Sequence, residues 1–232
     1  MASAADKMFW VPLESSPEAM TAMVHRVGVD AAVGFSDVWG LDDEMLAMVP
    51  QPVRALVFLF PAGDGYAAAR SREIEAAAAP VSPNVWFMKQ TIGNACGTMA
   101  ILHALANVQR DVAIGGALAG FFAETAALPP AERAAALERN GAIAASHAES
   151  AAQGQTAAPA ADAAVEHHYA AFVVVDGDLY ELDGTLPGPV NHGPATDVLR
   201  DGARAIQARI RALGDGAQTF SVIALGPAAE SE

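Results

Sequence analysis

From Cys96 to Ala106 the chain reads Cys-Gly-Thr-Met-Ala-Ile-Leu-His-Ala-Leu-Ala, a helical run that is apolar almost all the way round. A helix without a polar face belongs in a core, with other layers wrapped about it. The second strong constraint is Val53 to Phe60, a nearly continuous apolar run of strand length. Such a run reads as a central strand covered on both faces. Together they predict an α/β chain of the α+β type, with a central, mainly antiparallel sheet flanked by helices. At 232 residues one domain spanning 1–232 is expected, large enough to bury a sizeable core.

The remaining elements follow from local signals. Phe9 to Glu14 reads as a short strand or extended arm. Ser16-Pro17-Glu18 opens a helix, with Ser16 as N-cap and Pro17 in the first turn. A second helix begins after Asp42 and ends near Val49-Pro50, and a third covers Ala67 to Ala78. Gly116 to Ala126 and Pro129 to His147 give two more helices. Tyr169 to Val175 and Leu179 to Leu182 form strands around Asp176-Gly177. Thr196 to Leu213 is an amphipathic helix, and Thr219 to Leu225 a last strand. Between Glu149 and Glu166 lies a long segment of Ala, Gln, Gly, Thr, Pro and Asp without periodicity. Loops of that length in a compact domain are usually functional or disordered, and its place in the chain suggests a crossover near the active site.

Composition narrows the function classes. The formal charge is −14, with 27 acidic against 13 basic side chains. Nucleic acid is excluded, because its binding needs a cationic surface; a basic partner is favoured. No apolar segment approaches the roughly 20 residues of a membrane span. Residues 1–7 lack the pattern of a signal peptide. One cysteine cannot form an internal disulfide, so the expected compartment is reducing, the cytoplasm, with the nucleus left open. With a single cysteine and no ligand spacing, no metal is expected, and no cofactor motif is present.

That cysteine is Cys96, at the very start of the buried helix. Taken alone it could be a small core hydrophobe. Its neighbours point elsewhere. The dipole and unpaired N–H groups of a helix N-terminus favour a thiolate, which makes a nucleophile. Gly93 and Gly97 are expected to leave room for a substrate backbone. Gln90, six residues upstream, can donate a side-chain N–H to an oxyanion, and the Cys96 backbone N–H can donate a second.

A cysteine nucleophile needs a base, and the base an orienting group. Six histidines are available: His25, His103, His147, His167, His168 and His192. Asp176-Gly177 signals a tight type I′ hairpin. With those as turn residues, Val175 pairs with Asp178, Ala170 with Asp183 and His168 with Thr185. His168 and Asp183 then share a face as diagonal neighbours, roughly 7–8 Å apart at Cα, within reach of a histidine–carboxylate contact. His167 falls on the other face. A bulge would shift the register and hand the role to His167. Of the rest, His103 reads as a core residue, His25 and His147 as helix-surface residues, and His192 receives no chemistry.

The stretch Val85-Trp86-Phe87-Met88-Lys89-Gln90-Thr91-Ile92-Gly93-Asn94-Ala95-Cys96-Gly97-Thr98 resembles the active-site signature of the ubiquitin carboxyl-terminal hydrolases, a family of cysteine deubiquitinases. The resemblance extends over Trp10-Val11-Pro12-Leu13-Glu14, Met48-Val49-Pro50-Gln51-Pro52-Val53, Pro130-Ala131-Glu132-Arg133-Ala134, Gly154-Gln155-Thr156 and Leu179-Tyr180-Glu181-Leu182-Asp183-Gly184. It is nearest to the short, single-domain members. It implies a papain-like fold with a knotted backbone, and catalytic residues Cys96, His168, Asp183 and Gln90. It also implies hydrolysis of ester, thioester, amide or short-peptide adducts at the C-terminal glycine of ubiquitin, and for some members of the neddylation modifier. Pro12 and Leu13 are expected to contact ubiquitin, and the chain to act as a monomer. Two other readings stand beside this one. One is a monoubiquitin-sequestering protein with poor turnover; the other is an unrelated papain-type peptidase or acyltransferase.

Overall fold

In the computed structural model, which describes residues 8–63, 65–77, 79–154, 159–214 and 219–228, the expected strands join two unexpected ones, at Val33–Asp37 and Val190–Pro194, in one six-stranded sheet with helices on both faces. The strands are β1 (Val33–Asp37), β2 (Ala55–Pro61), β3 (His167–Val175), β4 (Asp178–Leu182), β5 (Val190–Pro194) and β6 (Ser221–Pro227). Their order is β1-β6-β2-β3-β4-β5, and every neighbouring pair is antiparallel. The apolar run of β2 is central as expected, flanked by β6 and β3.

The helices are α1 (Pro17–Val27), α2 (Asp43–Ala47), α3 (Tyr66–Ala77), α4 (Cys96–Asn107), α5 (Gly116–Thr125), α6 (Pro130–Glu138), α7 (Gly141–Ala152) and α8 (Val198–Leu213). Local chemistry sets their ends. The Ser16 hydroxyl accepts from the Ala19 N–H at 3.2 Å, Pro17 stands in the first turn, and Asp42 and Asp197 cap α2 and α8 in the same way. The single helix expected over Pro129 to His147 is two. Arg139 ends α6, and the Asn140 side chain caps α7 by accepting from Ile143, so the chain turns a corner that helical periodicity alone does not reveal.

Residues alternate along the strands between two cores. Tyr169, Ala171 and Val173 face α4 with α1, α5, α6 and α7 behind it. Ala170 and Phe172 face the α8 layer with Leu56 and Phe58. From Cys96 to Ala106 every residue of α4 is buried, as its lack of a polar face requires. Truncating Ile101, which is 1% exposed, to alanine would cost about 2–5 kcal/mol.

The β3–β4 hairpin turns on Asp176 (φ 52°) and Gly177 (φ 85°), and its ladder runs from Val175↔Asp178 to Ala171↔Leu182 in the expected register. It ends there. The expected pairing of His168 with Thr185 does not form. The chain leaves the sheet at Asp183 in a turn closed by the Leu186 N–H on the Asp183 carbonyl, while His168 pairs across β2 with Phe60.

Candidate active site

Cys96 is the first residue of α4, and the chain enters it through Asn94, whose φ of 57° lies in the left-handed region. No side chain caps this helix, so the first N–H groups of α4 keep their donor capacity for a ligand. Cys96 is therefore fixed at the tip of a helix buried from Cys96 to Ala106.

His168 lies at the start of β3. Its Nε2 is 2.7 Å from Oδ1 of Asp183, and Cys96 is its other hydrogen-bonding partner. With Nε2 engaged by the carboxylate, Nδ1 is the ring nitrogen left to the thiol. Burial alone would lower the pKa of His168. The bonds and negative charges of Asp183 and Cys96 outweigh it and push it up to about 10. Burial would likewise raise the pKa of Asp183, yet its bonds with His168 and Thr185 hold it below the usual carboxylate range. That carboxylate is completely buried. Its Oδ1 also accepts the Thr185 N–H (2.9 Å) and hydroxyl (2.7 Å), and its Oδ2 accepts from Tyr66 (3.0 Å). The arrangement can move a proton between sulfur and an attacking or leaving group while the carboxylate holds the ring.

Of the two adjacent histidines it is His168 that meets Asp183, although the ladder stops at Ala171↔Leu182 and the carboxylate reaches the ring from a turn. His167 turns away from Asp183 and pairs with Thr219 Oγ1 at 3.0 Å. His103 is fully buried, bonded to the backbone of Met88 and lowered to about 4 by burial. The surface assignment of His147 is corrected. It is 2% exposed because the arm of residues 8–14 lies across α7, bringing the Trp10 ring to 4.4 Å and the Val11 carbonyl to 2.8 Å. Its Nδ1 is 2.7 Å from the hydroxyl of Thr98, on α4. His192 is engaged too, 3.0 Å from the buried Glu181.

Gln90 donates through Nε2 to the Ile92 carbonyl at 3.1 Å, and its Oε1 is buried without a hydrogen-bond partner. An amide nitrogen carries two N–H groups, so one remains for an oxyanion beside the Cys96 N–H. The expected role of the two glycines is corrected: the protein's own side chains take the space. A Cβ on Gly93 would stand 2.3 Å from the Phe9 ring, and one on Gly97 would stand 3.1 Å from Leu13. These glycines let the arm pack down beside the nucleophile.

A cavity of about 460 Å³ opens on Cys96, lined among others by Pro12, Leu13, Glu14, Tyr169 and His167. Both arm residues expected to meet a substrate therefore lie on its wall. Gly154, Pro159 and Val165, from the 149–166 segment, line it as well. That segment starts inside α7, and its residues 155–158, with Gln155 and Thr156 of the signature, lie outside the described residues. Downstream, Asn94 donates to the carbonyls of Ala161 (2.7 Å) and Ala163 (2.9 Å), which ties the segment down two residues ahead of the nucleophile. Two contributors, Tyr66 and Thr185, escaped the reading for chemistry. A tyrosine after Gly63-Asp64-Gly65 carries no local signal of a carboxylate 117 residues away.

A helix-tip cysteine, a strand histidine and a buried aspartate, built across an antiparallel sheet, define a papain-like cysteine hydrolase. The comparisons with known proteins narrow the class. The model of ubiquitin carboxyl-terminal hydrolase, family 1, matches residues 10–211. A ubiquitin carboxyl-terminal hydrolase of Aplysia californica is 42% identical over 207 residues, 88% of this chain and 95% of that protein. The human isozyme L1 is 41% identical over 223 residues, 94% of this chain and 98% of its own. Among solved structures, the catalytic domain of Trichinella spiralis UCH37, bound to ubiquitin vinyl methyl ester, superposes with a TM-score of 0.75 at 26% identity, covering 95% of this chain and 96% of that one. The chain belongs to the ubiquitin carboxyl-terminal hydrolase family and is a cysteine hydrolase of the deubiquitinase class.

Proposed function

We propose that this chain hydrolyses ester, thioester, amide and short-peptide adducts at the C-terminal glycine of ubiquitin, with Cys96, His168 and Asp183 as catalytic triad. The observation that carries the reading is the 2.7 Å contact of His168 with the buried Asp183, with Cys96 as the histidine's other partner. The thiolate attacks the glycine carbonyl. The oxyanion is held by the Cys96 N–H and the Gln90 amide, and His168 gives its proton to the leaving group. Water, activated by the same ring, then releases the acyl-enzyme. Pro12 and Leu13 guide the tail into the cavity. The reading is supported by the family match and by the likeness to a UCH37 domain described as bound to a ubiquitin derivative. The neddylation modifier belongs to the same proposal as a second substrate, the working form as a monomer, and the compartment as the cytoplasm.

Ubiquitin carrying a C-terminal fluorogenic amide tests it. Wild type should turn the substrate over with Cys96→Ala silent. Tight binding with negligible turnover by both would select the sequestering alternative.

A further inference from the structure

Asp183 is held from two sides, and only one of them belongs to its own turn. Oδ1 takes His168 and both donors of Thr185, while Oδ2 takes the hydroxyl of Tyr66 at 3.0 Å. Tyr66 is the first residue of α3 and packs with the α8 layer, on the face of the sheet opposite α4. Its ring stands edge-on to Phe60 (5.2 Å between centroids) and 6.0 Å from the ring of His168. The guanidinium of Arg209, from α8, covers the tyrosine ring at 4.8 Å. Burial, with the negative charges of Asp183 and Glu181, pushes the Tyr66 pKa upward, so the hydroxyl keeps its proton and is a standing donor. Tyr66 lines a separate cleft with Gly65, Arg70 and Arg209, away from the cavity that opens on Cys96.

We propose that Tyr66 is a positioning residue for catalysis, fixing the Asp183 carboxylate against the His168 ring and tempering its pull on the imidazolium. The inference rests on the triad reading above. Turning the carboxylate about its Cβ–Cγ bond would move both oxygens, and the donor on Oδ2 adds a second anchor, outside the Asp183 turn, that such a rotation must break. The same donor withdraws negative charge from the carboxylate. Without it Asp183 would hold the imidazolium harder, and a more basic imidazole is a poorer acid toward the leaving group. Both effects act on the chemical step and leave substrate binding alone.

The test is Tyr66→Phe, which keeps the ring and removes the donor, assayed with the fluorogenic ubiquitin amide. Expected are a roughly three- to tenfold loss in kcat, an unchanged KM, and an alkaline limb of the pH–rate profile moved upward by a fraction of a unit. In an Asp183→Ala background the same substitution should have no further effect on the residual rate. Alkylation of Cys96 by iodoacetamide against pH gives a second reading of the limb. An active wild type matched within twofold by Tyr66→Phe, with the limb unmoved, overturns this inference alone. So does an equal loss that persists in the Asp183→Ala background. A wild type inert toward the substrate sinks the triad reading and this inference with it.

Discussion

Three imidazoles of this chain are driven in opposite directions by their surroundings. Burial lowers His147 and His103 to about 4 from an ordinary value of 6.5, so both are neutral in the folded protein. In the unfolded chain each binds a proton below its ordinary value. Stability is therefore lost as pH falls from about 6.5 toward 4. His168, raised to about 10 by partners that outweigh its burial, has the reverse sign. Its contribution is fully present below 6.5 and fades as pH rises toward 10. The unfolding temperature should thus decline on both sides of neutrality, with His147→Gln flattening the acid side and His168→Gln the alkaline side. A variant that shifts the whole curve without changing either slope would contradict the assignment. The proposed triad predicts a ranking. An aspartate orients, whereas the histidine moves protons, and in one measured triad losing the aspartate costs about a hundredfold less than losing the histidine. Asp183→Asn should keep residual ubiquitin hydrolysis where His168→Ala and Cys96→Ala are nearly dead, with His167→Ala close to wild type. Inactivity of His167→Ala beside a fully active His168→Ala would refute the hairpin argument. That Cys96 opens α4 and that His168 meets Asp183 was legible from local signals, helix-start chemistry and strand parity, although Asp183 makes the contact from a turn beyond the ladder. Tyr66 and the burial of His147 were not, since each depends on a segment that packs from far along the chain.

Among the elements, the 149–166 segment makes the most distinctive prediction. Its residues Gly154, Pro159 and Val165 line the cavity of Cys96, and Asn94 pins Ala161 and Ala163 to the start of α4. If this span limits the girth of a leaving group, a short peptide should pass and a folded protein attached through lysine should not. Lengthening it by roughly ten Gly/Ser residues costs little in closure entropy and should let the enzyme cut diubiquitin, with the fluorogenic amide hardly affected. Rapid diubiquitin cleavage by wild type, or no gain on lengthening, would reduce the segment to a connector. The elements read correctly from sequence are those with a strong local signature: the capped α1, the featureless apolar β2 and α4, the Asp-Gly hairpin. The two strands missed, β1 and β5, are the two edges of the sheet. Each has five residues, and β5, Val-Asn-His-Gly-Pro, carries a glycine and a proline that argue against a strand. Edge strands are short and interrupted because long flat edges invite aggregation, so the physics that protects them also hides them.

At the scale of the whole molecule the governing quantity is charge. With 27 acidic against 13 basic side chains, the net charge of −14 surrounds the protein with a negative potential. The tail of ubiquitin, the proposed substrate, bears two arginines just ahead of its terminal glycines, and Glu14 stands on the wall of the cavity they would enter. Long-range attraction of this kind speeds encounter more than it strengthens the final complex. It also fades once the screening length, about 30 Å at 0.01 M salt and about 8 Å at 0.15 M, becomes shorter than the approach distance. Over that range kcat/KM for the ubiquitin amide should fall several-fold while kcat stays constant, since Asp183 is buried and His168 is only 12% exposed, so added salt screens them little. A ubiquitin amide with both tail arginines replaced by glutamine should start slower at low salt and show a much flatter dependence. Stopped-flow association of Cys96→Ala with labelled ubiquitin separates the effect on encounter from any effect on chemistry. A rate of association indifferent to salt, or a dependence unchanged by removing the arginines, would mean that the acidic surface serves solubility and does not steer substrate.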